Sequence, residues 1–179
     1  MPIPLSDIVL VDVRRVLCAL QALLDKAETH GETRGLGPSW FATLRLAPDM
    51  QPFGFQVESV VNNALGAAAR LQRQEPPRIE GLATVSDMRR SIVDALARLD
   101  AVDPRTLEGA EALEIVLPSP KGARRFSGRD YVLQLALPNV QFHMAIAYAL
   151  LRSAGVDVGK RDFLGKLPPR DPPPSPAVA

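Results

Sequence analysis

The chain has 179 residues, 21 of them basic and 20 acidic, a length that suits one compact domain with a single continuous core. A net charge of +1 leaves no basic stripe able to neutralise phosphates, which argues against nucleic acid as a partner. The single cysteine, Cys18, excludes an internal disulfide framework and fits a reducing compartment.

The N-terminal run MPIPLSDIVLVDVRRVLCALQ is interrupted by Asp7, Asp12, Arg14 and Arg15. Neither a signal-peptide core nor a membrane span tolerates these charges, so the expectation is a soluble, cytoplasmic protein. From Leu5 to about His30, the residues Val9, Val13, Val16, Leu20, Leu23 and Leu24 recur at the spacing of one helix face. Ser6 or Asp7 is available as the cap. Cys18 falls within this run and reads as a small core residue, with a reactive thiol as the alternative. The glycines and proline of THGETRGLGPSW then break the pattern, leave His30 in a surface turn, and lead to a short element, WFATLRLA.

The segment PDMQPFGFQVESVVNNALGAAARLQRQ predicts a second long helix, with Asp49 as N-cap and Pro52 in the first turn. Val57, Val61, Ala64, Ala68 and Leu71 form its apolar stripe, and the small residues around Gly66 allow another helix to approach closely. Gln56, Asn63 and Arg70 repeat at heptad spacing; they read as a solvated face, with a ligand-facing wall as the alternative. After EPPRIEG, a third helix from Thr84 to about Leu99 presents Val85, Met88, Ile92, Ala95 and Leu99 on one face. A change of period in EALEIVLPSPKGARRFSG predicts a small hairpin ending near Phe126.

Gly128 to about Ala154 supplies the fourth long helix, kinked near Pro138, where proline removes a helical hydrogen bond. Gly155 is its stop signal. The following GVDVGKRDFLG lacks the spacing of a phosphate loop and reads as a strap packing Phe163 and Leu164 on the bundle. Residues 1–166 therefore make one domain, and 167–179, LPPRDPPPSPAVA, a proline-rich disordered tail. The fold class expected is all-α, an antiparallel four-helix bundle with a small β-hairpin between helices 3 and 4.

Only two histidines, His30 and His143, are present. A zinc site needs three or four ligands and no HxxxH pair occurs, so the sequence offers no metal motif and implies no cofactor. No GxSxG elbow is present either. In the last long helix, Asn139 and His143 share a face with Ile146, Ala147 and Leu150, whereas Gln141, Tyr148 and Arg152 lie on the opposite side. The first group offers two readings: a lone acid/base, or a hydrogen-bonded core histidine bridging two helices. Tyr148 with Arg152 reads as a structural stack or an inter-subunit contact.

The blocks RLAPDM with the following QV at Gln56, AARL near Arg70, FSGRDYVLQLALPN, FHMAIAYALLR and GVDVGKRDFLG carry a family resemblance over about residues 5 to 165. The chain resembles domain-of-unknown-function family nineteen-ninety-three, in the DinB-like (YfiT-like) four-helix-bundle superfamily. The resemblance implies a four-helix bundle with a hairpin before the last helix, and often a homodimer. Members of the wider superfamily include metal-dependent thiol transferases and hydrolases with histidines on the second and fourth helices. Only His143 matches that pattern, the second-helix counterpart being at or near Gln56. The chain also departs from its family at Asn62 and Leu65, where the pattern has Asp and Lys, and at Leu82, where it has Glu. That departure implies a less charged, more apolar site, or one that has decayed.

The function expected on these grounds is an apolar pocket for a small hydrophobic metabolite between the second and fourth helices. There His143 serves as the acid/base of a metal-free isomerase, lyase or cyclase, and Gln56, Asn63 and Asn139 orient the substrate. The alternative is a non-catalytic small-molecule-binding or dimeric scaffold protein. No membrane partner is expected.

Overall fold

A computed structural model describes residues 3–120 and 122–167 of the chain; the tail expected from 167 onward lies, apart from Leu167, outside the described residues. Helical backbone begins at Leu5 and passes through a π turn at Asp7–Asp12 into helix α1, Val13–Arg34. Ser6 is itself in helical conformation and its side chain makes no cap. The helix runs one turn beyond the expected end at His30, because Gly35, at φ 65°, is the residue that leaves the helical region, while Gly31 stays within it. Gly31 is needed there for space, since a Cβ would press on the buried Phe41 ring at 3.1 Å. His30 thus sits in the last turn of α1, half-buried, and not in a loop. Cys18 is likewise half-buried, its Sγ 3.8 Å from Arg14 Nη1, which corrects the core assignment.

A loop containing a single 3-10 turn, Phe41–Thr43, crosses to α2, Phe53–Leu71. Pro52 is the N-cap of α2, in extended conformation, and Asp49 lies in the turn before it without capping. Helix α2 is buried nearly all round, with Val57, Val61 and Ala64 at 0% exposure. Helix α3, Val85–Asp100, starts with a reciprocal capping box: Thr84 Oγ1 accepts from the Asp87 amide, and the Asp87 carboxylate accepts from the Thr84 amide. Its buried residues are those the periodicity names, together with Ser91.

Two antiparallel ion-pair sets join α1 to α3: Arg14 to Asp100 at 2.6 Å near one end, and Arg89 to Asp25 at 3.0 Å and Glu28 at 2.6 Å near the other. By contrast α2 and α3 run the same way, since Gly54 lies beside Met88 at their starts and Ala68 shares a groove with Leu99 at their ends. Residues 72–84 must therefore return along the whole of α2, about 28 Å for its 19 residues. This strap is held to α2 by side chains one turn apart. Asn62 Oδ1 accepts from the Ile79 amide at 2.8 Å while its Nδ2 donates to the Ile79 carbonyl at 2.7 Å, and Glu58 Oε1 accepts from the Leu82 amide at 2.8 Å. Gly54 admits the strap, because a Cβ there would stand 2.6 Å from the Leu82 carbonyl oxygen.

After α3, strands β1 (Glu114–Leu117) and β2 (Arg124–Ser127) pair antiparallel, Ile115 opposite Phe126. The last long helix is built of α4 (Gly128–Tyr131), a π turn (Val132–Ala136) and α5 (Leu137–Ser153). The interruption expected near Pro138 takes the form of this π turn immediately before it, as follows from a residue that has no amide to donate. Gly155, at φ 86°, ends the helix, and α6 (Lys160–Leu164) packs on α1 as the strap the sequence predicts. Arg15 donates to the Leu164 carbonyl, Lys26 pairs with Asp162 at 2.8 Å, and Phe163 stacks edge-on with Tyr148 at 5.8 Å. Tyr148 is thereby a structural stack. Around the bundle the order is α1, α3, α2, α5, with the helices running up, down, down, up in sequence order.

Candidate functional site

Helices α2 and α5 are antiparallel neighbours, and their polar stripe points at the shared seam. Gln56 is only 3% exposed; its Oε1 lies 2.8 Å from His143 Nδ1, and its Nε2 donates to the Gln51 carbonyl at 2.9 Å. Further along, Arg70 Nη1 donates to the Tyr131 hydroxyl at 2.9 Å and lies over the same ring. The heptad stripe Gln56, Asn63, Arg70 is therefore not a solvated face: its two ends tie α2 to α5 and α4.

The chain of hydrogen bonds decides the state of the imidazole. The Gln51 carbonyl can only accept, so the amide nitrogen of Gln56 faces it and the amide oxygen faces His143. His143 must then carry its proton on Nδ1, leaving the Nε2 lone pair as the free acceptor. Partial burial holds the His143 pKa below its ordinary value, which keeps the ring neutral near pH 7. The ring lies edge-on to Phe55 at 6.1 Å and to Phe142 at 5.2 Å. Both phenylalanines are exposed, at 39% and 57% respectively. Neighbours of Gln56 and His143 in sequence, they escape a search for polar residues; only the helical wheel of α5 places Phe142 outward.

The expected site residues are thus not brought together as a ring around a cavity. His143 and Gln56 are in direct contact. Gln56 stands behind the histidine and positions it. Asn63 turns back on its own helix, Nδ2 donating to the Ser59 carbonyl at 2.8 Å, as a half-buried side chain in a helix interior does. Asn139 is half-buried one turn before His143, and no side-chain hydrogen bond joins it to another of the described residues. The apolar pocket expected between the second and fourth helices is filled instead, since Val57, Val61, Ala64, Val140, Met144 and Ala147 all stand at 0% exposure. Five concavities among the described residues are lined by other side chains. His143 lies on the rim of the seam, half-buried beside the exposed Phe55 and Phe142.

Of these concavities, a groove of about 550 Å³ beside the end of α1 is lined by Asp25, Lys26, His30 and Asp157. Its charges are largely engaged, Lys26 with Asp162 and the Asp157 carbonyl, Asp25 with Arg89. His30 Nε2 is buried without a hydrogen-bond partner.

The residues do not fit the divalent metal of the wider superfamily. The partner of His143 across the seam is the neutral amide of Gln56 and not a second histidine, and among the described residues no three His, Cys, Asp or Glu side chains cluster. Asn62 and Leu82, where the family pattern carries charges, belong to the α2 strap: Asn62 holds both backbone groups of Ile79, and Leu82 gives its amide to Glu58. The uncharged amide of Asn62 thus has a structural use, since it serves both backbone groups of Ile79, whereas Leu82 contributes only its backbone amide. Among the described residues no helix is long and apolar enough to cross a membrane.

A model of the family described as Domain of unknown function (DUF1993) matches residues 5–164. Among solved structures, the chain is similar to a DinB family member protein from Shewanella denitrificans at 30% identity and a TM-score of 0.84, over 94% of this chain and 96% of that one. No curated protein matches the chain.

Proposed function

The chain belongs to the DUF1993 family, a DinB-like bundle to which its description assigns no activity, and from that premise we propose that it binds a small hydrophobic molecule at the rim of the α2–α5 seam. The molecule carries a hydroxyl or amide N–H, which donates to His143 Nε2 while its apolar body rests between Phe55 and Phe142; Asn139 supplies a second polar contact. The observation that carries this reading is the chain from Gln51 through Gln56 to His143, which spends the Nδ1 proton internally and leaves one oriented lone pair between two exposed aromatic rings.

Proton transfer is the chemistry such a group adds. His143 takes a proton from the bound donor at Nε2, becomes an imidazolium held by Gln56, and returns the proton to another atom of the same molecule, as in an isomerisation. One positioned histidine contributes roughly a hundred- to ten-thousand-fold to such a step. Binding is the primary reading, because the half-buried rim admits water, which weakens the electrostatics that a proton transfer relies on.

The test follows the His143 ring carbons and nitrogens by NMR while a panel of phenols and aryl amides is added. The expected result is a saturable shift of the His143 resonances, with Nδ1 protonated and Nε2 bare in the free protein, and loss of binding in His143→Ala. A ring that ignores the whole panel, or that carries its proton on Nε2, refutes the reading and leaves a structural histidine.

A further inference from the structure

Among the described residues three arginines are half-buried: Arg15, Arg70 and Arg89. A cation withdrawn from water ordinarily faces an anion, and two of the three do, Arg15 with Asp12 at 2.7 Å and Arg89 with Asp25 at 3.0 Å and Glu28 at 2.6 Å. Arg70 is the exception. Its Nη1 donates to the Tyr131 hydroxyl at 2.9 Å and its guanidinium lies 5.6 Å from the centre of that ring, but among the described residues no ion pair includes it. The bond to Tyr131 ties α2 to α4, yet a hydroxyl carries no charge to offset that of the guanidinium.

The end of α2 does not account for this cation. The carbonyls of Ala69 and Arg70 there accept from the backbone amides of Gln72, Arg73 and Gln74, and the Arg70 side chain turns back by one turn of helix to Gly66. A Cβ on Gly66 would stand 2.5 Å from Arg70 Nη1, so the missing side chain is the notch in which the guanidinium lies. Glycine inside a helix is less stable than alanine, and here it gives Arg70 its path to Tyr131. The Tyr131 residue is 3% exposed. Burial pushes its phenol above the ordinary pKa, so near neutral pH the hydroxyl keeps its hydrogen. That oxygen accepts from Arg70, and no described residue accepts from it in turn. Several donors thus converge where the described residues supply no acceptor.

We infer that Arg70 and Tyr131 form a binding site for a small monocarboxylate, the unused N–H groups of the guanidinium and the O–H of the phenol donating to its two oxygens. The planar guanidinium matches the planar carboxylate. The charge of Arg70 is balanced by one negative charge, whereas the second charge of a phosphate dianion would be left unpaired in half-buried surroundings. The site lies at the other end of α2 from Gln56 and His143, and it does not rest on the reading given for them.

Nuclear magnetic resonance on the full chain tests the inference, following the Arg70 Nε–Hε and Tyr131 ring signals while sodium acetate or sodium benzoate is added at an ionic strength held constant with sodium chloride. The expected result is a saturable shift of both sets of signals that sodium chloride alone does not produce and that Arg70→Gln removes. Tyr131→Phe keeps the ring and deletes the O–H; it is expected to weaken binding of either acid about tenfold or more. Gly66→Ala keeps both groups but drives the guanidinium from its notch, and is expected to weaken binding to a similar extent with the helix intact. These two variants decide the matter should Arg70→Gln fail to fold. An Arg70 signal that neither acid moves overturns the inference and leaves a structural tie, as does binding undiminished in both Tyr131→Phe and Gly66→Ala. Inorganic phosphate bound at Arg70 more tightly than either acid overturns the assignment of a carboxylate.

Discussion

His143 is held by partners without charge, and this determines how it responds to pH. Burial lowers its pKa in the folded protein below the ordinary value of about 6.5 that the unfolded chain retains. The folded state therefore prefers the neutral ring. Its contribution to stability is fully present above the unfolded pKa and is lost as pH falls through the depressed folded one. Urea denaturation between about pH 8 and pH 5 should accordingly show stability declining on acidification, with a shallower decline in His143→Gln. An identical pH dependence in the two proteins would mean that the ring is free to charge in the fold. The carboxylates held low by donors, such as Asp162 by Lys26 and Asp100 by Arg14, titrate in a more acidic window and do not confuse the comparison. That His143 faces another helix was legible from its place in the α5 wheel. That Gln56 stands opposite it was implied by the family resemblance; that the two side chains bond directly, and that two phenylalanines flank the ring, was not, because residues 87 positions apart meet only once the bundle closes.

Among the elements, the strap between α2 and α3 shows how a local pattern acquires its meaning. Asn62 must both donate and accept to satisfy Ile79, which a carboxylate cannot do. Asn62→Asp keeps the bond from the Ile79 amide and orphans its carbonyl. It should lower stability by about 1–2 kcal/mol, measured by denaturant unfolding, and speed hydrogen exchange along residues 72–84. An unchanged midpoint would show that the strap is held by Glu58 and packing alone. In sequence, EPPRIEG is only a proline-bearing loop. Its extended course follows from the parallel α2 and α3, a relation between helices that no periodicity encodes. The helices themselves were more open to reading, α3 above all, since an apolar face and a capping box are local features. The ends of α1 were not: Gly31 and Gly35 look alike in the sequence, yet only Gly35 leaves the helical region, while Gly31 stays helical and leaves room for the Phe41 ring.

For the whole molecule, the homodimer that the family resemblance implies can be tested at α5, which has no Asp, Glu, Lys or Arg between Asp130 and Arg152 and leaves Phe142 and Ala145 exposed. If two copies share its outer face, folding and association are linked, and the melting temperature should rise with protein concentration. Scanning calorimetry over a hundredfold range of concentration would register the shift, and Ala145→Glu should abolish it. A melting temperature independent of concentration in the wild type would place α5 in an unpaired molecule with an exposed Phe142.

The sequence by itself determined the helices, the hairpin, the glycine stop at Gly155 and the family to which the chain belongs, because periodicity, capping and turn chemistry act within a few residues. The tertiary structure alone decided that the heptad stripe of α2 faces α5, that the seam is filled and His143 lies on its rim, and that Asn62 serves the strap. Those outcomes depend on which helices become neighbours and which way they run, and that is set by packing the four apolar faces together.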